Sequence, residues 1–111
     1  MAVPGTTNVT GCWGTVVGTV AQPVLPGNPT RSGLIIINAG ITTIAVCPAL
    51  AFQSTTGTYP TAATALVPVI NGAGSVTMNP GDKFIFDNLL ATCAFNGIAQ
   101  GGIGALTFWS F

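Results

Sequence analysis

Side chains with acid or base chemistry are few in this chain of 111 residues. The charged residues are Arg31, Asp82, Lys83 and Asp87. Two carboxylates can share general acid and general base roles when they face one site. Asp82 and Asp87 stand five positions apart across a predicted strand, however, and a period of two sends them to opposite faces. We therefore expect Asp82 to cap a turn, Asp87 to lie at a strand rim, and the chain to be no enzyme.

Arg31 stands just before the most aliphatic stretch of the chain, so a structural role is the first expectation for it. It would pair with Asp82 or Asp87, or support packing beside that stretch. Contact with a ligand is the alternative.

The three cysteines, Cys12, Cys47 and Cys93, form no CxxC motif, and the chain contains no histidine. Zinc sites use closely spaced Cys and His ligands, and calcium loops use a run of carboxylates, so we expect no metal and no cofactor. Each cysteine lies in an apolar strand candidate, which favours three small buried side chains. One disulfide with a leftover thiol, or bridges between subunits, are the alternatives.

Charge is scarce in this sequence. Charged residues make up 4% of the chain, the net charge is zero, and 49% of the residues are hydrophobic, whereas about a quarter of the residues in an ordinary soluble domain are charged. The surface must be covered by uncharged polar residues or by other subunits, which predicts a homo-oligomer. Two cationic side chains cannot neutralise the phosphates of a nucleic-acid backbone, so nucleic acid is not an expected partner.

No stretch of about 18 residues stays apolar without Pro, Gly or polar interruptions, so we expect no membrane-spanning helix. The first eleven residues, MAVPGTTNVTG, lack a basic and an apolar region of the signal-peptide kind. We expect synthesis in the cytoplasm without a secretion signal.

Strand patterns position these residues. The aliphatic runs 34–37 and 41–47 flank Asn38-Ala39-Gly40, which predicts a central hairpin with a tight loop. The proline-rich stretch 22–30 predicts a loop or crossing segment, and 48–64 predicts a long exposed excursion. Other strands are expected at 12–20, 65–70, 75–78, 83–87 and 103–111, with a turn at Asn79-Pro80-Gly81-Asp82. A further apolar stretch, 89–99, contains Cys93 and is broken at Asn96-Gly97.

Seven or eight short strands without a long amphipathic helix predict an all-β protein. The expected architecture is a single β-sandwich or jelly-roll-like domain over 12–111, preceded by an extended N-terminal arm over 1–11. Its core is expected from Phe84, Phe86, Phe108 and the Ile35 and Ile37 side of the central strand.

Several short motifs together carry a family resemblance over about residues 31–111. They are RSGLIIIN (31–38), IAV (44–46), MNPGD (78–82), NGIA (96–99) and LTFW (106–109). In this order they resemble small β-sandwich virion proteins of tailed bacteriophages. Such proteins commonly carry an acidic residue near the last strand, which is absent here. The resemblance implies a virion protein that is made in the host cytoplasm.

The function expected on these grounds is a capsid decoration or cement protein that binds the outer surface of a phage head. A trimer is favoured because three-fold symmetry suits an icosahedral shell, and the major capsid protein or other virion proteins are the expected partners. The alternative is a head-fibre or tail-tip domain that binds a host surface glycan through stacking aromatic side chains. The residues expected at an interface are Val3, Pro4, Val9, Trp13, Tyr59 and Trp109.

Overall fold

The computed structural model of the protein describes residues 11–49, 67–72 and 74–111. The predicted arm, apart from Gly11, and most of the predicted excursion lie outside these residues. The elements are β1 (Gly11–Val17), β2 (Gln22–Leu25), β3 (Gly33–Asn38), β4 (Ile44–Pro48), β5 (Val76–Met78), β6 (Lys83–Asp87), α1 (Asn88–Thr92), β7 (Phe95–Ala99) and β8 (Gly104–Ser110).

The strands form two four-stranded antiparallel sheets. Sheet A has the order β1-β8-β3-β6, and sheet B has the order β2-β7-β4-β5. Strands that follow one another in sequence mostly alternate between the sheets, and this strand order is that of an eight-stranded jelly roll. The predicted all-β sandwich is therefore confirmed, and the strand order gives its type.

The core lies between the inner faces of the two sheets. In β8 the side chains alternate between the faces of the sheet, and Leu106, Phe108 and Ser110 are buried. The Phe108 ring stacks on Trp13 of β1 at a centroid distance of 5.6 Å, and Phe86 packs on Phe95 at 5.1 Å. The other buried core residues are Val17, Val24, Leu25, Leu34, Ile36, Ile44, Val46, Met78, Ala91 and Ala99.

The predicted central hairpin is wrong. β3 pairs with β8 and β6 in sheet A, whereas β4 pairs with β7 and β5 in sheet B. Residues 39–43 therefore carry the chain from one sheet to the other. Two consecutive apolar runs joined by Asn and Gly fit a hairpin equally well, and only pairing with distant strands decides between the two.

The side of β3 assigned to the core is also corrected. Leu34 and Ile36 are fully buried, while Ile35 and Ile37 are half-buried on the outer face. Phe84 shares the inner face of sheet A with Phe86, but its position on an edge strand leaves it 40% exposed.

One loop prediction and one strand prediction change as well. The proline-rich stretch contains β2, which is an edge strand of sheet B with an irregular register between Pro23 and Leu25. An edge strand tolerates a proline because one side of it makes no ladder bonds. Conversely, a strand is expected at 65–70, but residues 67–69 have no strand structure.

The turn between β5 and β6 agrees with its prediction. Gly81 has a φ of 88°, which a residue without a Cβ adopts at little cost. The Asn79 N–H donates to Oδ2 of Asp82 at 2.9 Å, and the Asp82 N–H donates to the Asn79 carbonyl at 2.9 Å. Asp82 thus caps the turn and fixes the start of β6.

Candidate functional site

An apolar row crosses the outer face of sheet A. Cys12 lies opposite Trp109, Trp109 lies opposite Ile35, and Ile35 lies opposite Ile85. Directly opposed residues of antiparallel strands point to the same face of the sheet. The four side chains, here called the apolar row, therefore form one line across all four strands.

Much of the apolar row is open to solvent. Ile85 is 66% exposed, Trp109 is 39% exposed, Cys12 is exposed, and Ile35 is half-buried. The prediction of three buried cysteines is therefore wrong for Cys12, which occupies the outward position of its strand, and Cys93 is half-buried. A line of large apolar side chains on a sheet face is typical of a protein contact surface.

The outer face of sheet B differs, because its β4 positions are closed to solvent. Ala45 and Cys47 point away from the core yet have no exposed surface. Burial raises the pKa of the Cys47 thiol and keeps it protonated, as a small apolar side chain. Residues 67–72 lie beside β5 on this outer face, where the Asn71 N–H donates to the Thr77 hydroxyl at 2.8 Å. Of the two outer faces, only that of sheet A has side chains exposed to solvent on its central strands, among the described residues.

A second apolar surface lies at one end of the sandwich, here called the loop end. It carries Val20, Ile41 and Ile103, of which Ile41 is 94% exposed. Backbone hydrogen bonds fasten these loops together: the Ala99 N–H donates to the Gly18 carbonyl and the Gln100 N–H to the Thr43 carbonyl, both at 2.8 Å.

Arg31 is buried and bound by backbone carbonyls. Its Nε donates to the Ala91 carbonyl at 2.7 Å, and one terminal nitrogen donates to the carbonyls of Cys93 at 2.9 Å and Pro26 at 3.1 Å. Burial lowers the pKa of the guanidinium from its ordinary value, but arginine stays protonated in proteins. The expected pairing with Asp82 or Asp87 is therefore replaced by capping of the end of α1.

Asn38, expected from the sequence only in a hairpin loop, has a structural role. Its amide is fully buried, and Nδ2 donates to the carbonyls of Thr42 at 2.8 Å and Met78 at 2.9 Å. Its Oδ1 accepts the Gly40 N–H at 3.1 Å. An Asn that ends an apolar strand is the available signal, because a buried amide must find partners. Asn38 thereby links β3, the 39–43 crossing and β5.

The predicted interface residues fall into three groups. Trp109 is on the open face of sheet A, and Trp13 is half-buried against the core on the opposite face of that sheet. Val3, Pro4, Val9 and Tyr59 lie outside the described residues. Their roles at an interface stay predictions.

Two further features of the described residues concern metal ligands and membrane-spanning helices. No group of three or more acidic, Cys or His side chains gathers among them. None of their helices reaches the length and apolar character that a bilayer crossing requires.

In sequence, the chain matches no protein-family model and no curated protein. In structure, it is similar to the crystal structure of PirA, with 14% identity, 96% of each chain covered and a TM-score of 0.55. It is also similar to a de novo designed double-stranded β-helix, with 11% identity, 92% of this chain and 100% of the designed chain covered, and a TM-score of 0.50. Likenesses at this identity concern the fold alone.

Proposed function

We propose that this protein is a structural component of a phage virion, a decoration or cement protein that binds the outer surface of the head as a homo-oligomer. The observation that carries the proposal is the apolar row on the open face of sheet A. Apolar side chains in a line across a sheet gain free energy when a protein surface covers them, by roughly 25 cal/mol per Å² of apolar area. The resemblance of the sequence motifs to phage virion proteins indicates that the partner surface is a phage shell.

The distribution of charge supports binding by burial. The Arg31 guanidinium is bound by backbone carbonyls, and the Asp82 carboxylate accepts a hydrogen bond within its own turn. Lys83 and Asp87 lie at the two ends of the edge strand β6, so the middle of the open face carries no charge that a partner would have to desolvate.

The glycan-binding alternative has weaker support. Sugar sites combine an aromatic ring with convergent hydrogen-bonding groups. Within its row, Trp109 lies between Cys12 and Ile35, which offer no strong donors or acceptors. A protein partner fits these neighbours better than a sugar does.

The test is binding of the purified full chain to phage shells that lack it, measured by co-sedimentation. Trp109→Thr combined with Ile35→Thr keeps strand-forming residues while removing the apolar surface. We expect shell binding to weaken at least roughly tenfold, the range of a small contact hot spot. Ile41→Thr at the loop end is the matched control and should bind as the unmodified chain does.

Circular dichroism of each variant shows whether the fold is kept. Unchanged shell binding by the folded double variant would contradict the assignment of the face. A protein that binds bacterial cells but not shells would favour the glycan alternative.

A further inference from the structure

The edge strand β6 has a self-complementary sequence. It reads Lys83-Phe84-Ile85-Phe86-Asp87, with opposite charges at its ends, matching aromatic residues inside them and Ile85 at its centre. Reversing its direction exchanges Lys83 with Asp87 and Phe84 with Phe86, and returns Ile85 to itself. An antiparallel pair of two such strands places every residue opposite a complementary one.

The directions of the backbone hydrogen-bonding groups of β6 also suit such a pair. On β3, Gly33 exchanges both hydrogen bonds with Phe111, on the side of β8. Asn38 bonds on the side of β6, where its N–H donates to the Asp82 carbonyl at 2.9 Å. Hydrogen-bonding direction alternates along a strand, so the even-numbered residues of β3 bond to Phe84 and Phe86.

By the same alternation, the backbone groups of Lys83, Ile85 and Asp87 point to the other side of β6. On that side the Asp87 carbonyl already accepts the first hydrogen bond of α1, because Asp87 is the N-cap of the helix. Among the described residues no strand pairs with that side. These three residues are also the ones whose side chains lie on the outer face of sheet A. One strand edge thus presents donors, acceptors, both charges and an exposed isoleucine together.

We propose that a second copy of this chain binds along β6, antiparallel, about a two-fold axis at Ile85. In this register Ile85 lies opposite Ile85 of the second copy, and Lys83 lies opposite Asp87 of the second copy. The two Ile85 residues then exchange two hydrogen bonds, and the Asp87 N–H of each copy donates to the Lys83 carbonyl of the other, so that about four bonds form. Shifting one strand by two residues places a charge opposite Ile85 and leaves the other charges without partners.

The charged residues of β6 could either promote pairing with a second copy or prevent the edge strand from pairing with any other strand. Natural edge strands often carry charge to prevent pairing, and Lys is the usual choice. Protection by Lys works when the approaching strand has no acidic residue at the matching position. Here the approaching copy presents Asp87 at that position, so the arrangement that would repel other strands attracts a second copy.

Pairing also covers apolar surface that the single chain exposes. Phe84 is 40% exposed on the inner side of the edge and would lie beside Phe86 of the second copy. On the outer side, the apolar row would continue through Ile85 into the row of the second copy. The eight-stranded sheet would present one apolar line of twice the length.

This two-fold contact goes beyond the proposed function and gives its oligomer a geometry. The three-fold preference drawn from the sequence rested on shell symmetry alone, whereas the two-fold contact rests on matched residues. The inference relies on the proposed function only for what the doubled face binds. The pairing itself can be tested without shells.

The test uses the full chain and two charge reversals, Lys83→Asp and Asp87→Lys, in analytical ultracentrifugation over a dilution series. Each variant places like charges opposite each other at both ends of the contact. Like-charge juxtaposition costs several kcal/mol, so we expect each dissociation constant to rise by about a hundredfold or more. Val16→Lys adds a charge on the same face at the opposite edge of the sheet and should leave the dimer unchanged.

Mixing the two reversed variants restores opposite charges at every position of the contact. We expect the mixture to form a heterodimer with an affinity near that of the unmodified chain, and the doubly reversed variant to dimerise by itself. A monomeric unmodified chain, or an oligomer that neither reversal weakens, would overturn the pairing. Dimerisation without shell binding would instead count against the proposed function and leave the pairing intact.

Discussion

Arg31 is the clearest case in which one residue holds distant parts of the chain together. Its guanidinium donates to carbonyls of Pro26, Ala91 and Cys93. These groups belong to the loop before β3 and to the end of α1. A planar fork of donors suits several carbonyls at fixed positions better than an ammonium does.

We predict that Arg31→Met lowers the free energy of unfolding by about 2–4 kcal/mol, because buried carbonyls lose their donors. Arg31→Lys should recover part of the loss. Urea denaturation at fixed protein concentration measures both. If an ion pair carried the effect, Asp87→Asn would reproduce it; we expect that variant to leave the stability of the single chain nearly unchanged.

At the scale of elements, the position of a strand in its sheet decides what its side chains contribute. Phe108 lies on β8, between β1 and β3, and has no exposed surface. Phe84 points to the same side of sheet A but lies on the edge strand β6. The same residue type therefore buries very different areas in the two strands.

We accordingly predict that Phe108→Ala costs about 3–5 kcal/mol, the range for deleting a buried aromatic side chain. Phe84→Ala should cost about 1 kcal/mol, because much of that ring is already in water. Urea midpoints measured in dilute solution compare the two. Equal losses would mean that the edge of sheet A is as closely packed as its centre.

For the whole molecule, the scarcity of charge gives each charged group a separate task. One is enclosed by carbonyls, one caps a turn, and two stand at the ends of the edge strand. The rest of the surface is uncharged, so association depends on apolar area and strand pairing. Segments that precede the domain would then add contact area to an assembly.

The predicted N-terminal arm is one such segment, and its contribution can be tested by deletion. Deleting residues 1–10 should leave the circular dichroism and melting temperature of the domain nearly unchanged, because β1 begins at Gly11. Shell binding should fall, since an extended segment with Val3, Pro4 and Val9 offers contacts to a neighbour. Failure of the truncated chain to fold would identify the arm as part of the core.

The sequence by itself determined the class of fold and much of its local geometry. Short apolar runs separated by Gly, Pro and Asn predicted an all-β sandwich. Pro80 and Gly81 predicted the turn before β6, whose bounds agree with the structure. These features depend on a few neighbouring residues, because φ preferences and side-chain alternation are local properties of the backbone.

Tertiary structure alone decided which strands pair and which face of each strand is inside. Alternation divides a strand into two faces without saying which one meets the core. Trp13 and Trp109 thus look alike in sequence, yet Trp13 stacks on Phe108 and Trp109 lies on the open face. The partners of β3, the carbonyls around Arg31 and the edge position of β6 likewise depend on residues far away in the chain. Pairing over such distances is fixed by the packing of the whole sandwich, which no local pattern encodes.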